Sequence, residues 1–407
     1  MRHDHTKWLV HFVRDRNPEQ DFPGEDEEDV GSYAGGELEC DAGAFSVLKN
    51  IIRLGGLLPG YSFRNGRTTI YGGRPAVCAT EMPLYSFADY ARQRSNPSKV
   101  SAYGIAFLKS EFFLAGGRPA IYGLSTDNIS YIVNAATSRI LSEAVMPLAE
   151  QYRFVAYNPV PENWIDWSHE REWRWIARDE NKDQVWVRDQ YGCIGPVPAL
   201  PLLKGRLDGG AFSMLCFIVW TNEEAEELQK ILTGYYLAGV NNYDTEFDKQ
   251  LIVKSKIIVL ADVIEAVEGD KRINSQTIEG LQDAQLLRPI AVHEFSKETE
   301  ELIKLALKRA SDAGMTASKE YVGKYPSDVG ACGFADAICY EVASPIIQQL
   351  ISGGNASGPF DGKVIIEVPP SWPIRQSVDY QEFVMRAVVE SLKKTLEIDI
   401  FVESRLD

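Results

Sequence analysis

Four tryptophans fall within twelve residues, Trp164-Ile165-Asp166-Trp167-Ser168-His169-Glu170-Arg171-Glu172-Trp173-Arg174-Trp175. Bulky aromatics favour strands and need a buried face, so the stretch reads as a well-anchored β-strand. Side chains alternate across a strand, which places Glu170, Glu172 and Arg174 on one face and Arg171, Trp173 and Trp175 on the other. Two carboxylates on one face repel, which raises the pKa of one of them, and Arg174 beside them partly offsets the repulsion. A glutamate held in this way suits general-base work or the stabilisation of a developing cation. The same pattern also describes a solvated ladder of charges over a buried core.

The 407 residues exceed a usual single domain, so two are expected, residues 1–265 and 270–407. A formal charge of −16 excludes a protein that grips nucleic acid through a broad basic surface. The six cysteines (Cys40, Cys78, Cys193, Cys216, Cys332, Cys339) include no Cys-x-x-Cys pair, and no histidines stand at metal-ligand spacing. They read as reduced thiols, and no metal is expected. No apolar run is long enough to cross a bilayer, and the first residues lack the apolar core of a signal peptide. The expectation is a soluble cytoplasmic protein with no membrane partner.

Trp8 to Arg14 reads as a first strand, with His11 sharing a face with Leu9 and Val13. Ala44 to Leu54 carries apolar residues at helical spacing and is stopped by Gly55-Gly56. Strands are expected at Pro75–Leu84, Tyr103–Lys109, Ala120–Gly123 and Arg153–Tyr157, with helices at Tyr85–Arg94 and Asn128–Leu148. Gln184 to Arg188 is expected as the hairpin partner of the tryptophan-rich strand, and Cys193 to Pro201 as irregular because of its prolines. Phe212–Trp220 reads as a strand, and Thr221-Asn222-Glu223-Glu224 opens a helix. Toward the end, helices are expected at Ser296–Ala313, Ala335–Ile351 and Tyr380–Leu392, and strands at Lys363–Val368 and Ile398–Val402.

In its order of elements the first domain resembles the mono-ADP-ribosyltransferase superfamily, especially its divergent DarT-like bacterial toxin and abortive-infection phage-defence members. The likeness rests on a first strand with His11 and nearby Arg14, a helix followed by a Gly-Leu step, a strand ending Cys78-Ala79-Thr80-Glu81, a Tyr103-Gly104 strand and the late Glu170-Arg171-Glu172. It covers roughly residues 8–190; position 79 is alanine where the family often has Ser or Thr. The resemblance implies an α+β fold, a split mixed β-sheet domain followed by a smaller α/β domain. It also implies NAD as substrate in a cleft between two small sheets, with His11 or Arg14 holding NAD and Thr80 supporting the cleft. Glu172 would be the catalytic acid and Glu170 would orient the acceptor. Tyr103 reads either as a stacking partner for nicotinamide or as sheet packing, and Lys109 and Arg118 as candidates for the pyrophosphate. The implied activity is transfer of ADP-ribose to a macromolecular acceptor, protein or nucleic acid, with an inhibitory antitoxin partner expected by analogy. An NAD glycohydrolase and a non-catalytic sensor on the same scaffold are the alternatives.

Overall fold

The computed structural model describes residues 6–17, 41–61, 63–64, 67–81, 84, 102–124, 131–134, 138–178, 182–188, 194–205, 210–243, 245–292, 296–327, 330–360 and 362–407. The expected helix Tyr85–Arg94, together with Cys40 and Cys193, lies outside them. The chain divides into two compact units, Met1–Leu228 with Phe247–Ile290, and Gln229–Glu246 with Ala291–Asp407. Gln229–Glu246 thus belongs with the C-terminal unit, and the last crossing between the units falls at 290, past the expected 265–270, because the strand Leu287–Pro289 pairs into the first unit's sheet.

That sheet has eight strands: β1 (Trp8–Val13), β2 (Val77–Thr80), β3 (Tyr103–Leu108), β4 (Arg118–Pro119), β5 (Glu172–Trp175), β6 (Leu215–Val219), β7 (Lys256–Val259) and β8 (Leu287–Pro289). Their spatial order is β8-β7-β6-β3-β1-β2-β5-β4. β6 and β7 run parallel and the other neighbours antiparallel, so the fold is mixed α/β on a large mixed sheet. The sheet is unevenly stitched. β1 and β3 pair from Trp8↔Leu108 to Val13↔Tyr103, and β5 and β2 from Glu172↔Thr80 to Trp175↔Val77. Between β1 and β2 the register among the described residues holds a single pair, Val10↔Thr80. A seam therefore separates β6-β3-β1 from β2-β5-β4.

Apolar side chains on both faces explain the central strands, which read as continuous hydrophobic runs. Trp8, Val10, Ala106, Cys216, Ile218 and Ile258 build one core with Leu260, Val263 and Leu281. On the opposite side Phe107 packs on Phe112 and Phe212, with ring centroids 5.1 Å apart in each case. The helix α1 (Ala44–Leu54) ends at Gly55, whose φ of 71° lets its N–H reach the carbonyls of Ile51 and Ile52. A Cβ there would also sit 2.6 Å from the Phe247 ring, so both conformation and space demand glycine.

Several sequence expectations are corrected. Instead of a helix at 128–148, Tyr131–Asn134 and Ser138–Leu141 form an antiparallel pair. The fully buried Gln151 side chain bonds both the N–H and the carbonyl of Leu141, at 2.8 Å each, in place of a further strand. Gln184–Arg188 pairs with Ile194–Pro198 rather than with the tryptophan-rich strand, so the proline-rich segment is itself a strand. That segment pairs along one side only, which leaves room for Pro196 and Pro198. The tryptophan-rich stretch is extended only over Glu172–Trp175. Upstream, the Asp166 carboxylate takes both the N–H and the hydroxyl of Ser168, a short 3₁₀ turn covers Ser168–Glu170, and Arg171 adopts a left-handed φ of 47°. Such local side-chain bonding competes with a strand ladder, and here it wins.

The second unit packs α2 (Lys297–Lys324), α3 (Pro345–Ser352) and α4 (Val378–Leu396) on a four-stranded antiparallel sheet. Its strands are β9 (Gly333–Cys339), β10 (Ala356–Phe360), β11 (Lys363–Ile366) and β12 (Phe401–Leu406), in the order β10-β11-β9-β12. α2 runs past the expected stop at Ala313 because Gly314 lies against the Trp372 indole, where a Cβ would come within 2.4 Å of the ring. Ala335, Ala337 and Cys339 alternate into the core of a strand rather than the expected helix. Pairing to β11 and β12 on both sides overrides the helical preference of alanine.

Trp175 is completely buried and its indole donates to the Ala115 carbonyl at 2.9 Å, whereas Trp173 is half-buried. Trp175→Ala should therefore cost about 3–5 kcal/mol of stability and Trp173→Ala less, as read from urea unfolding midpoints.

Candidate functional site

The short strand β2 organises the site. Thr80 is the registered partner of Val10 in β1 on one side and of Glu172 in β5 on the other. Residues distant in sequence are thereby brought side by side at the seam. The Thr80 hydroxyl donates to the backbone carbonyl of Glu170, which pins the turn ahead of β5. Two residues back, the Cys78 carbonyl accepts from Nδ1 of His11 at 2.8 Å, so an imidazole bridges the seam just beyond the Val10↔Thr80 pair. A carbonyl only accepts, so Nδ1 carries the proton. Burial holds the His11 pKa below its ordinary value, against the opposing pull of that bond, which leaves Nε2 as an acceptor.

Glu172 and Arg174 share one face of β5, as alternation requires. Arg174 is 5% exposed and clamps the Glu172 carboxylate with two bonds, Nε to Oε1 at 2.9 Å and Nη2 to Oε2 at 3.0 Å. Its remaining nitrogen, Nη1, donates to the carbonyls of Tyr152 and Phe154. A planar guanidinium satisfied on every side fixes its partner in position and orientation. The Glu172 N–H donates to the Tyr122 hydroxyl at 2.6 Å. Burial chiefly, with the Glu172 and Glu170 carboxylates adding to it, pushes the Tyr122 phenol up to about 12. The half-buried Cys78 lies opposite Arg174 in the register; burial and then the Glu172 carboxylate hold its thiol well above the ordinary range, so it stays protonated.

Glu170 has left the strand, yet it remains within electrostatic reach of Glu172. Burial first, and the Glu172 charge second, raise its pKa from 4.5 to about 7, against the pull of Arg174. The two glutamates are thus divided in role. One is a carboxylate locked to a guanidinium, and the other exchanges a proton near neutrality, as acid–base groups do.

Of the residues singled out from the sequence, Thr80, Glu170 and Glu172 come together, whereas His11, one residue on from Val10, lies on the opposite face of the sheet and reaches β2 only at the Cys78 carbonyl. Arg14 follows the last residue of β1 and is half-buried. Tyr103 stands at the end of β3, opposite Val13, and its hydroxyl donates to Glu224 at 2.6 Å, tying it to the start of the helix Asn222–Ala238. Lys109 bonds the Thr6 carbonyl and pairs with Glu81 at 3.2 Å, while Arg118 bonds the carbonyls of Phe113 and Gly117. Both basic side chains serve local structure. Tyr122 and Cys78 carry no sequence signal of a role; only the pairing of β2 with β5 and the approach of Tyr122 to Glu172 reveal them. Past Trp175, Ile176 and Arg178 form part of a cavity of about 670 Å³ with Arg74, Glu150 and Pro198.

Among the described residues no group of three or more His, Cys, Asp or Glu is placed to hold a metal, and no helix is long and apolar enough to cross a membrane. The chain matches no family model, no curated protein and no solved structure.

Glu170 supplies a test of the site's electrostatics. Because its folded pKa lies above 4.5, the native state keeps a proton that the unfolded chain gives up, and stability falls as pH rises from about 4.5 through about 7. Glu170→Gln removes this loss. The variant should be more stable than wild type at about pH 8, with the difference vanishing near pH 4, as measured by urea denaturation at each pH.

Proposed function

We propose that this protein is an NAD-dependent ADP-ribosyltransferase acting on a macromolecular acceptor, in the manner of bacterial toxins and anti-phage effectors. One observation carries the reading: the three strands bearing His11, Thr80 and Glu172 lie side by side in the order β1-β2-β5, with Val10↔Thr80 the one registered pair between β1 and β2 among the described residues. A dinucleotide bent into a cleft between two small sheets would lie along such a lightly paired boundary.

The residue chemistry fits glycosyl transfer from a pyridinium leaving group. The bond between C1′ of the ribose and the nicotinamide nitrogen breaks, and its electron pair goes to that nitrogen. The sugar passes through an oxocarbenium-like state. Glu172, held by Arg174, keeps a fixed negative charge at the developing cation and accepts from a ribose hydroxyl; a rigid charge of this kind needs no reorganisation as the bond breaks. The acceptor's nucleophile then bonds to C1′ and gives its proton to Glu170, whose pKa near neutrality suits a general base. The same centre with water as nucleophile would be a glycohydrolase.

The test is incubation of the purified protein with labelled NAD and cell lysate, following nicotinamide release and label on macromolecules. Wild type should move label, and Glu172→Gln should lower both signals by roughly 10²–10³-fold while remaining folded. In wild type, transfer should rise with pH through about 7, and in Glu170→Gln that rise should disappear. Full transfer by a folded Glu172→Gln protein would remove the assignment. Release of nicotinamide without label would replace the transferase by the glycohydrolase.

A further inference from the structure

The two edges of the second unit's sheet are built differently. β10, at one edge, carries a register shift between Ser357 and Phe360 and includes Pro359, which has no N–H to offer. Bulges and prolines are the usual guards against unwanted strand pairing. β12, at the other edge, has neither. It pairs with β9 in unbroken register from Gly333↔Leu406 to Ile338↔Phe401, and five of its six residues are exposed, Leu406 at 68% and Phe401 at 47%.

The ladder states which groups face outward. The Asp407 N–H donates to the Cys332 carbonyl. Backbone direction alternates along an antiparallel strand, so Phe401, Glu403 and Arg405 turn their N–H and C=O groups toward β9. Val402, Ser404 and Leu406 turn theirs toward the open edge.

We propose that β12 is a self-pairing surface, joined antiparallel to β12 of a second copy across a two-fold axis through Ser404. Alternation allows this register, because Ser404 meets Ser404 of the other copy and Val402 meets Leu406, all of them residues with outward-facing groups. The sequence favours it, because Glu403 then stands opposite Arg405 in a closely spaced pair, and the two-fold axis repeats that ion pair. Opposite charges facing each other across two strands stabilise the pairing, whereas like charges there oppose it. Val402 and the exposed Leu406 meet on the face that carries the helices. In each chain Glu403 also pairs with Lys363, and the Arg405 guanidinium lies over the Phe334 ring with 5.4 Å to its centroid. The contact is isologous, and it closes at two copies with one eight-stranded sheet.

Sedimentation velocity of the full chain over a dilution series tests the proposal. Wild type should show a species of twice the 45.5 kDa chain mass. Ser404→Pro removes an outward N–H and leaves the bonds to β9 in place, and it should give monomer. Arg405→Glu sets glutamate against glutamate and should weaken association by at least about tenfold. Adding Glu403→Arg to it restores opposite charges and should recover the dimer. Far-UV circular dichroism and thermal melting establish that each variant is folded. A wild-type chain that stays monomeric throughout the series overturns the proposal, as does a dimer indifferent to both Ser404→Pro and Arg405→Glu.

Discussion

A guanidinium taken almost wholly out of water has to be repaid by every group around it, and Arg174 is repaid completely. Glu172 occupies two of its nitrogens and the carbonyls of Tyr152 and Phe154 the third. Desolvation of both ions makes such a pair a weak source of net stability, but removing either partner strands a buried charge. What the pair contributes is position. It holds a carboxylate on a short strand at the seam, and the charge of that carboxylate adds to burial in raising the pKa of the neighbouring Glu170, while Arg174 works against it. Tyr122 and Cys78 complete the polar shell of Glu172 from either side.

Sequence patterning made much of this legible where period and punctuation agree. β1 and α1 were visible as a β-branched, aromatic run and as an amphipathic helix closed by glycine, and the residues Thr221 and Glu224 as a helix start. There Glu224 accepts from the Thr221 N–H at 3.0 Å, in the reciprocal bonding of a capping box. The alternation of Glu172 and Arg174 was equally plain. What period could not supply was pairing. Ala335–Cys339 has helical composition and becomes a strand because β11 and β12 flank it, and Gly314 looks like a stop until Trp372 is seen lying across it.

The candidate site shows the same division. That Glu170 and Glu172 interact follows from their spacing, but the way they interact does not, because the strand was expected to run through both. Asp166 and Ser168 redirect the chain with side-chain bonds that span two residues, and Arg171 completes the break. Repulsion between two carboxylates on one flat face thus becomes a more specific arrangement, with one anchored on the strand and the other carried on a turn that Thr80 ties down. The role of Thr80 depends on β2 lying between β1 and β5, a topological fact with no local signature.

That β1 and β2 share one registered pair among the described residues has a mechanical consequence. A sheet resists bending across its strands in proportion to the bonds that cross each boundary, and this one is stitched along six residues on one side of the seam and four on the other. The line through Val10 and Thr80 is therefore its natural crease. Strain applied to the first unit would collect there, with the imidazole of His11 as a second tie, and the two halves could turn against each other as plates while their internal ladders stayed whole.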